Sequence, residues 1–325
     1  MTRAVRIRAF GGPQVIEFEN VDVGAPGPEQ VHVAHRAIGL NMVDTYYRSG
    51  LYPLELPSGL GSEAAGIVVA QGADVTGFAA GDRVAYAAPP PLDAYSEARL
   101  MDARWLVKLP DVIDDVTAAA MMLKGLTSWY LLRRSYAARP SDWVLLYAAA
   151  GGVGSITAQW ARHLGVRVIG VVGSEAKRTL ALENGCEHVL LASAERFVAR
   201  VREISGGEGV AAVYDSIGRD TFYQSLDCLR PHGVMVSFGN ASGPVDPVAP
   251  LELSKRGSLY LTRPTLYDFI RRRAELDAAS AELFDVVARG AVSIRVPQRY
   301  RLADVAQAHR DLEARKTTGS SVLIP

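Results

Sequence analysis

The stretch WVLLYAAAGGVG at positions 143–154 constrains this chain more than any other. Residues 143–147 are a short apolar run rich in strand formers. From Val153 the pattern turns helical, with Ile156, Trp160 and Leu164 at spacings of four. A strand, a tight turn of small residues and a helix open a dinucleotide-binding βαβ unit. The pyrophosphate of such a ligand binds backbone N–H groups at the helix N-terminus, and side chains at the turn would hold the backbone away. Ala149, Gly151 and Gly154 occupy the three glycine positions of that fingerprint. Alanine at the first costs little only if the backbone there needs no positive φ. The motif alone leaves open a glycine-rich strand–helix turn without a ligand.

The residues that follow narrow the choice. Apolar runs at 167–172, 188–191, 210–214 and 233–238 predict further strands, separated by helical patterns over 175–184 and 198–204. Strands alternating with helices of about ten residues predict an α/β fold with a doubly wound parallel sheet. Ligands of such sheets lie outside the carboxyl ends of the strands. That puts Gly151, Gly152, Val153, Gly173, Ser216, Phe238, Gly239 and Asn240 along one crevice.

The first part of the chain has another texture. Strands are predicted at 4–9 and 15–18 around Gly11-Gly12-Pro13, at 30–38, and within 61–71 and 81–86. Short strands between Gly and Pro turns suggest a β-rich domain of about 110 residues. A helix over 117–134 leads into the βαβ region. After it come a strand at 258–262, one long helix over 267–288, a helix over 304–315 and a closing strand at 321–324. If that last strand rejoins the first domain, the nucleotide domain is an insertion. Acids and bases balance at 35 each, so no strong field draws the chain to nucleic acid or an anionic membrane. Cys186 and Cys228 make no disulfide framework. No apolar run spans a membrane and the N-terminus lacks a signal-like core, so the expectation is a soluble, cytoplasmic protein.

Stretches spanning nearly the whole chain in order resemble the quinone oxidoreductases of the medium-chain dehydrogenase/reductase superfamily, the zeta-crystallin-like group. They are AIGLNMVDTYYRSGLYP (37–53), LPSGLGSEAAG (56–66), KGLT (124–127), AAAGGVG (148–154), YDSIGRD (214–220), SFGN (237–240) and GSSVLIP (319–325). The resemblance implies a GroES-like catalytic domain over 1–123, completed by 263–325, and a Rossmann domain over 124–262. It also implies an NADPH-dependent, zinc-independent reductase that forms a homodimer.

Zinc-dependent members of the superfamily hold catalytic zinc with cysteine, histidine and cysteine. The first cysteine would fall at Asn41 and the histidine at Ser62, neither a normal zinc ligand. The region 88–97 holds none of the four cysteines of a structural zinc site. No metal is expected. NAD-preferring Rossmann domains place an acid at the end of the second strand, about twenty residues past the glycines. That position is close to Gly173, with Lys177 and Arg178 following, which leaves room and charge for a 2′-phosphate. Glu175 complicates this reading, as an NAD-type acid displaced by two residues. The resemblance places the phosphate-binding lysine on Lys177, with a second contact from Arg315, and puts Ala192 where close relatives have a tyrosine. It extends the cofactor site to Asn41, Thr127, Tyr130, Ser174, Arg263, Pro264 and Thr265, with Thr127 and Tyr130 approaching the nicotinamide carboxamide.

The segment 41–52 is dense in polar and aromatic groups, which by composition alone also fits a surface loop and helix. The resemblance makes Asn41, Asp44 and Tyr46 the lining of the substrate pocket, with Tyr52 at its mouth. The implied reaction is hydride transfer from NADPH to a quinone or other conjugated carbonyl, resting on positioning and with no obligate acid or base assigned. One alternative is an NADPH-dependent alkenal or enone reductase, which needs a proton donor at carbon. Another is an NADPH- or RNA-binding protein without turnover. Arg271-Arg272-Arg273 offers a local basic patch, but it lies in a helical pattern beside Glu275, as a surface cluster would. An apolar edge at 257–261 is the one local feature pointing to a dimer.

Overall fold

A computed structural model describes residues 1–325. The chain divides into two compact units, residues 1–126, 270–288 and 294–325 forming one, residues 127–269 and 289–293 the other. The hand-over between Leu126 and Thr127 falls inside a continuous helix, where no change of composition marks it.

In the first unit, β1 (Thr2–Arg6) and β2 (Glu17–Val21) pair antiparallel as a separate ribbon. The strands overlap the expected 4–9 and 15–18 but are displaced by two to three residues. Pro13 starts a 3-10 turn, Pro13–Val15, and so delays the second strand. Next come β3 (Gln30–Leu40), α1 (Met42–Ser49), β4 (Glu63–Gln71), β5 (Arg83–Ala87), β6 (Ala98–Asp102) and β7 (Leu106–Lys108). Their inward side chains, among them Val31, Val33, Ile38, Val84, Tyr86 and Leu106, form one core. The next helix, α2 (Asp115–Tyr130), was expected to run to 134, but Leu131–Ser135 is a π-helical turn instead.

The second unit is a six-stranded parallel sheet. Its elements in order are β8 (Trp143–Tyr147), α3 (Gly152–His163), β9 (Arg167–Val172), α4 (Arg178–Glu183), β10 (His188–Leu191), α5 (Phe197–Ile204), β11 (Val210–Asp215), α6 (Phe222–Asp227), β12 (Leu229–Ser237), α7 (Leu251–Lys255) and β13 (Tyr260–Thr262). The strand order is β10-β9-β8-β11-β12-β13. Winding therefore reverses between β8 and β11, and the crevice of a doubly wound sheet opens there. All six residues of β11 are buried, as a central strand covered on both faces requires.

The expected single helix over 267–288 is two helices, α8 (Leu266–Phe269) and α9 (Arg273–Ala288). The Glu275 carboxylate accepts the backbone N–H of Arg272 at 3.1 Å, half of a capping box that starts α9 afresh. The chain also returns to the first unit at this break. There β14 (Gln298–Arg301), α10 (Val305–Glu313) and β15 (Ser321–Ile324) complete the fold. β15 runs antiparallel to β3, with Leu323 opposite Ile38, and parallel to β14. No helix is long and apolar enough to cross a membrane.

Candidate active site

The turn after β8 is built by exclusion of side chains. Gly151 is the residue before α3 and has no side chain to cap the helix. The first-turn N–H groups of Gly152, Val153 and Gly154 are thus left for an anion. A Cβ on Gly154 would lie 2.2 Å from the Ala148 carbonyl oxygen, so this glycine is fixed by close approach and not by φ. The one left-handed residue of the turn is Ala148, at φ 51°, while Ala149 at the first fingerprint position avoids that region. Alanine is therefore tolerated at 149, and the strain sits one residue earlier.

At the end of β9, a Cβ on Gly173 would meet nothing within 4 Å. The space is open, and Gly173, Ser174 and Glu175 are exposed. Glu175 is paired with Arg178 at 2.6 Å and Arg178 also donates to the carbonyl of Val189, so that carboxylate is already engaged. Lys177 closes the short 3-10 turn Glu175–Lys177. Ala192 follows β10, exposed, with its N–H donating to the Val172 carbonyl.

The loop after β11 depends on a residue that the sequence reading passed over. Asp215 has no exposed surface, and its carboxylate accepts the N–H groups of Ile217 (2.8 Å) and Gly218 (3.1 Å) and the hydroxyls of Thr221 (2.7 Å) and Ser225 (2.8 Å). Asp-x-x-Gly after an apolar run was the available signal. Phe238 donates its N–H to the Asp215 carbonyl, and a Cβ on Gly239 would lie 2.5 Å from the Ser216 carbonyl oxygen. Ser216, Phe238, Gly239 and Asn240 therefore form two touching loops at the carboxyl ends of β11 and β12. Arg263, Pro264 and Thr265 follow β13 at the same end of the sheet. Thr127 is buried on α2, and one face of the Tyr130 ring is stacked on Phe269, centroids 4.9 Å apart.

In the first unit, α1 brings the other candidates together. Asn41 precedes the helix and Asp44 is its third residue, so the Asp44 carboxylate accepts the Asn41 N–H at 2.9 Å. Asp44 has no exposed surface; its Oδ2 also accepts the Tyr95 hydroxyl at 2.7 Å and its Oδ1 faces the Ser62 hydroxyl at 3.3 Å. Burial pushes the Asp44 carboxyl up to about 7, against the opposing pull of Tyr95, the Asn41 N–H and Lys124. The Asn41 amide donates to Glu63 at 2.8 Å, and Glu63 is held by Lys124 at 3.0 Å and by the N–H of Leu123. Tyr46 is buried, and the half-buried Tyr52 ring lies edge-on to Tyr46 and Tyr47 at 5.3 and 5.6 Å. Asn41 and Asp44 are thus engaged by protein partners, which composition could not reveal. Arg315, expected near the cofactor, follows α10 with φ 59° and its N–H on the Leu312 carbonyl.

A second buried line runs from this helix to α10. Arg48, 2% exposed, donates to His309 Nδ1 at 2.8 Å and pairs with Glu313 at 2.5 Å. His309 Nε2 lies 3.2 Å from the Tyr95 hydroxyl. Burial and the neighbouring Arg48 charge push His309 down to about 3, so the imidazole is neutral.

At the two positions where a zinc ligand would stand, Asn41 is occupied with Glu63, and Ser62 offers a hydroxyl to Asp44. No group of three or more His, Cys, Asp or Glu side chains has the arrangement of a metal site. This donor set does not fit zinc. Of the three arginines at 271–273, Arg272 pairs with Glu275 and Arg273 with Asp277, as a solvated helix face does.

Residues 27–111 match the alcohol dehydrogenase GroES-like domain, and residues 152–285 match the family described as zinc-binding dehydrogenase. A quinone oxidoreductase of Pseudomonas aeruginosa is 51% identical, covering 100% of both chains. A 2-haloacrylate reductase of a Burkholderia species is 46% identical over 100% of this chain and 99% of its own. The crystal structure of Escherichia coli quinone oxidoreductase complexed with NADPH superposes with a TM-score of 0.97 at 47% identity, covering 99% of this chain and 100% of that one. With both domain types, the six-strand order and whole-length identity in agreement, the chain belongs to the quinone oxidoreductases of the medium-chain dehydrogenase/reductase superfamily.

Proposed function

We propose that the protein is an NADPH-dependent quinone reductase that works without a metal. The observation that carries this reading is the whole-length, 51% identity to a quinone oxidoreductase. The crivice residues support the cofactor assignment. Gly151 brings the backbone close without a side chain, and the N–H groups of Gly152, Val153 and Gly154 are left for a pyrophosphate; the open space at Gly173 with Ser174 and Lys177 beside it suits a 2′-phosphate. Ser216, Phe238, Gly239, Asn240, Arg263, Pro264 and Thr265 complete the proposed cofactor contacts, with Asn41, Thr127, Tyr130 and Arg315. When bound, NADPH supplies the hydride.

The acceptor is proposed to rest beside Tyr52, the one half-exposed member of the group Asn41, Asp44, Tyr46 and Tyr52, the other three being buried. The half-buried Tyr52 ring, fixed edge-on against Tyr46 and Tyr47, offers an aromatic acceptor an apolar contact. The capping box holds the N-terminus of α1 in one position, and Glu63 and Lys124 hold the Asn41 amide, so orientation is prepared before the acceptor arrives. A quinone is a ready acceptor, so positioning carries much of the rate.

The second reading is reduction of a conjugated carbon–carbon double bond, favoured by the 46% identical 2-haloacrylate reductase. We further propose a cytoplasmic homodimer paired through β13. It is the outer strand of its sheet, where Tyr260 is 62% exposed.

The test is oxidation of NADPH and NADH with 1,4-benzoquinone, 9,10-phenanthrenequinone and a simple enone, with and without a chelator. Chelator-resistant, NADPH-preferring turnover of a quinone is expected. Turnover of the enone alone moves the protein to the second reading. Tight NADPH binding with no turnover refutes both. Light scattering at micromolar concentration checks the dimer, and a monomer overturns it.

A further inference from the structure

The line of hydrogen bonds from Arg48 to Asp44 has only one possible polarity. A guanidinium donates and never accepts, so His309 Nδ1, 2.8 Å from Arg48, must be the accepting nitrogen. The His309 proton then sits on Nε2 and is donated to the Tyr95 oxygen at 3.2 Å. Tyr95 in turn gives its own hydroxyl proton to Asp44 Oδ2 at 2.7 Å. With the Asn41 N–H also on Oδ2, that oxygen receives two donors. Oδ1 faces only the Ser62 hydroxyl, at 3.3 Å, long for a hydroxyl on a carboxylate. A proton on this carboxyl therefore belongs on Oδ1, and its one outlet is Ser62. Arg48 closes the other end, since a guanidinium offers no acceptor through which the line could continue.

We propose that Asp44 and Ser62 are the proton-donating pair of the reaction, Asp44 Oδ1 holding the proton and Ser62 passing it to the reduced acceptor, with Tyr95 and His309 as positioning residues. This rests on the quinone reductase reading. In the step, NADPH is oxidised to NADP⁺ and the quinone is reduced by the hydride to the hydroquinone anion. The Ser62 O–H bond breaks as an O–H bond forms on that anion's oxygen. The Asp44 Oδ1–H bond breaks as the Ser62 hydroxyl is re-formed, leaving a carboxylate held by Tyr95 and the Asn41 N–H. After product leaves, water reprotonates Asp44 by the same path in reverse.

The charged and titratable groups around Asp44 are Tyr95, Lys124 and Glu63, with Tyr47 on its own helix and Arg48, His309 and Glu313 behind Tyr95. Lys124 favours the carboxylate and Glu63 opposes it, and burial outweighs both, so the acid form persists to about pH 7. The donor must be protonated, so activity is present below that pH and is lost above it.

The experiment is the single-turnover rate of NADPH oxidation with 1,4-benzoquinone from pH 5.5 to 9, NADPH affinity being followed by fluorescence as a check on folding. The wild-type rate is expected to fall above about pH 7. Asp44→Asn should be slow, by roughly ten-fold or more at pH 6, with no break in its profile. Ser62→Ala should be equally slow, and Ser62→Thr, which keeps a hydroxyl, should recover most of the rate. Tyr95→Phe removes a donor from the carboxylate, so its break should move to higher pH, a change that a merely structural role would not produce. A flat wild-type profile, a wild-type rate in Ser62→Ala, or an unmoved break in Tyr95→Phe overturns the proposal. If Asp44→Asn does not fold, the wild-type, Ser62 and Tyr95 profiles decide alone. Absence of quinone turnover in a wild type that binds NADPH defeats the reductase reading itself, whereas turnover without the break defeats only the proton route.

Discussion

Replacing Asp215 with alanine tests how the nucleotide crevice is held open. The carboxylate accepts four donors, and their fates differ. The hydroxyls can turn elsewhere; Thr221 Oγ1 already lies 3.3 Å from the Gly218 carbonyl. The N–H groups of Ile217 and Gly218 cannot, because the backbone fixes their direction. Two orphaned N–H groups cost about 1–3 kcal/mol each. Relief of burying a charge trims the total, giving about 3 kcal/mol. Asp215→Asn keeps one oxygen for both N–H groups and lets the hydroxyls turn to accept, so its cost is about 1 kcal/mol. Urea unfolding followed by far-ultraviolet circular dichroism measures both. Because Ser216 and Gly239 touch, loosening this loop should also raise the Kd for NADPH by roughly ten-fold in the alanine variant, read by fluorescence titration. An alanine variant losing less than about 1 kcal/mol, with NADPH affinity within about two-fold of wild type, would refute the argument.

Three further outcomes follow from the same structure. Gly154→Val puts a branched side chain where a Cβ alone would stand 2.2 Å from a carbonyl oxygen; it should cost about 1–3 kcal/mol and abolish measurable NADPH binding, checked by thermal unfolding and titration. Gly173→Asp meets no atom within 4 Å and needs no left-handed backbone, so stability should change by less than about 0.5 kcal/mol while preference moves from NADPH toward NADH, read from kcat/KM for each cofactor. The buried imidazoles give a pH signature. His35 is lowered by burial to about 4 and His309 to about 3, so each stabilises the fold above the unfolded value near 6.5 and loses that contribution as pH falls toward the folded value. Asp44, raised to about 7, acts oppositely: its contribution is present at low pH and lost as pH rises through 7. Between pH 6.5 and 4.5 one histidine offsets Asp44, leaving a net loss of about 1.4 kcal/mol per pH unit on acidification. In Asp44→Asn the loss should steepen to about 2.7 kcal/mol per unit in urea titrations, and an unchanged slope would contradict the assignment.

Much of the second unit was legible because its signals are local. The WVLLY run, the small-residue turn and the helical period after Val153 gave β8 and α3, and the later apolar runs gave the remaining strands. Boundaries failed where a local device went unweighed. Pro13 delayed β2, and the Glu275 cap divided one expected helix into α8 and α9. β14, with the sequence QRYR, carries no apolar run and is a strand only because β15 lies beside it.

The candidate site divides along the same line. The chain's order of residues sufficed for the nucleotide turn, the absence of zinc ligands at positions 41 and 62, and the small residue at the end of β9, because each depends on side chains present at fixed spacing. What Asp44 and Asn41 do was decided only by the tertiary structure. The resemblance offered them as pocket lining, whereas folding closes Asp44 against Tyr95, 51 residues away, and Tyr95 against His309, 214 residues further on. Burial and hydrogen-bond polarity arise from such distant partners, and those two quantities set where a proton resides.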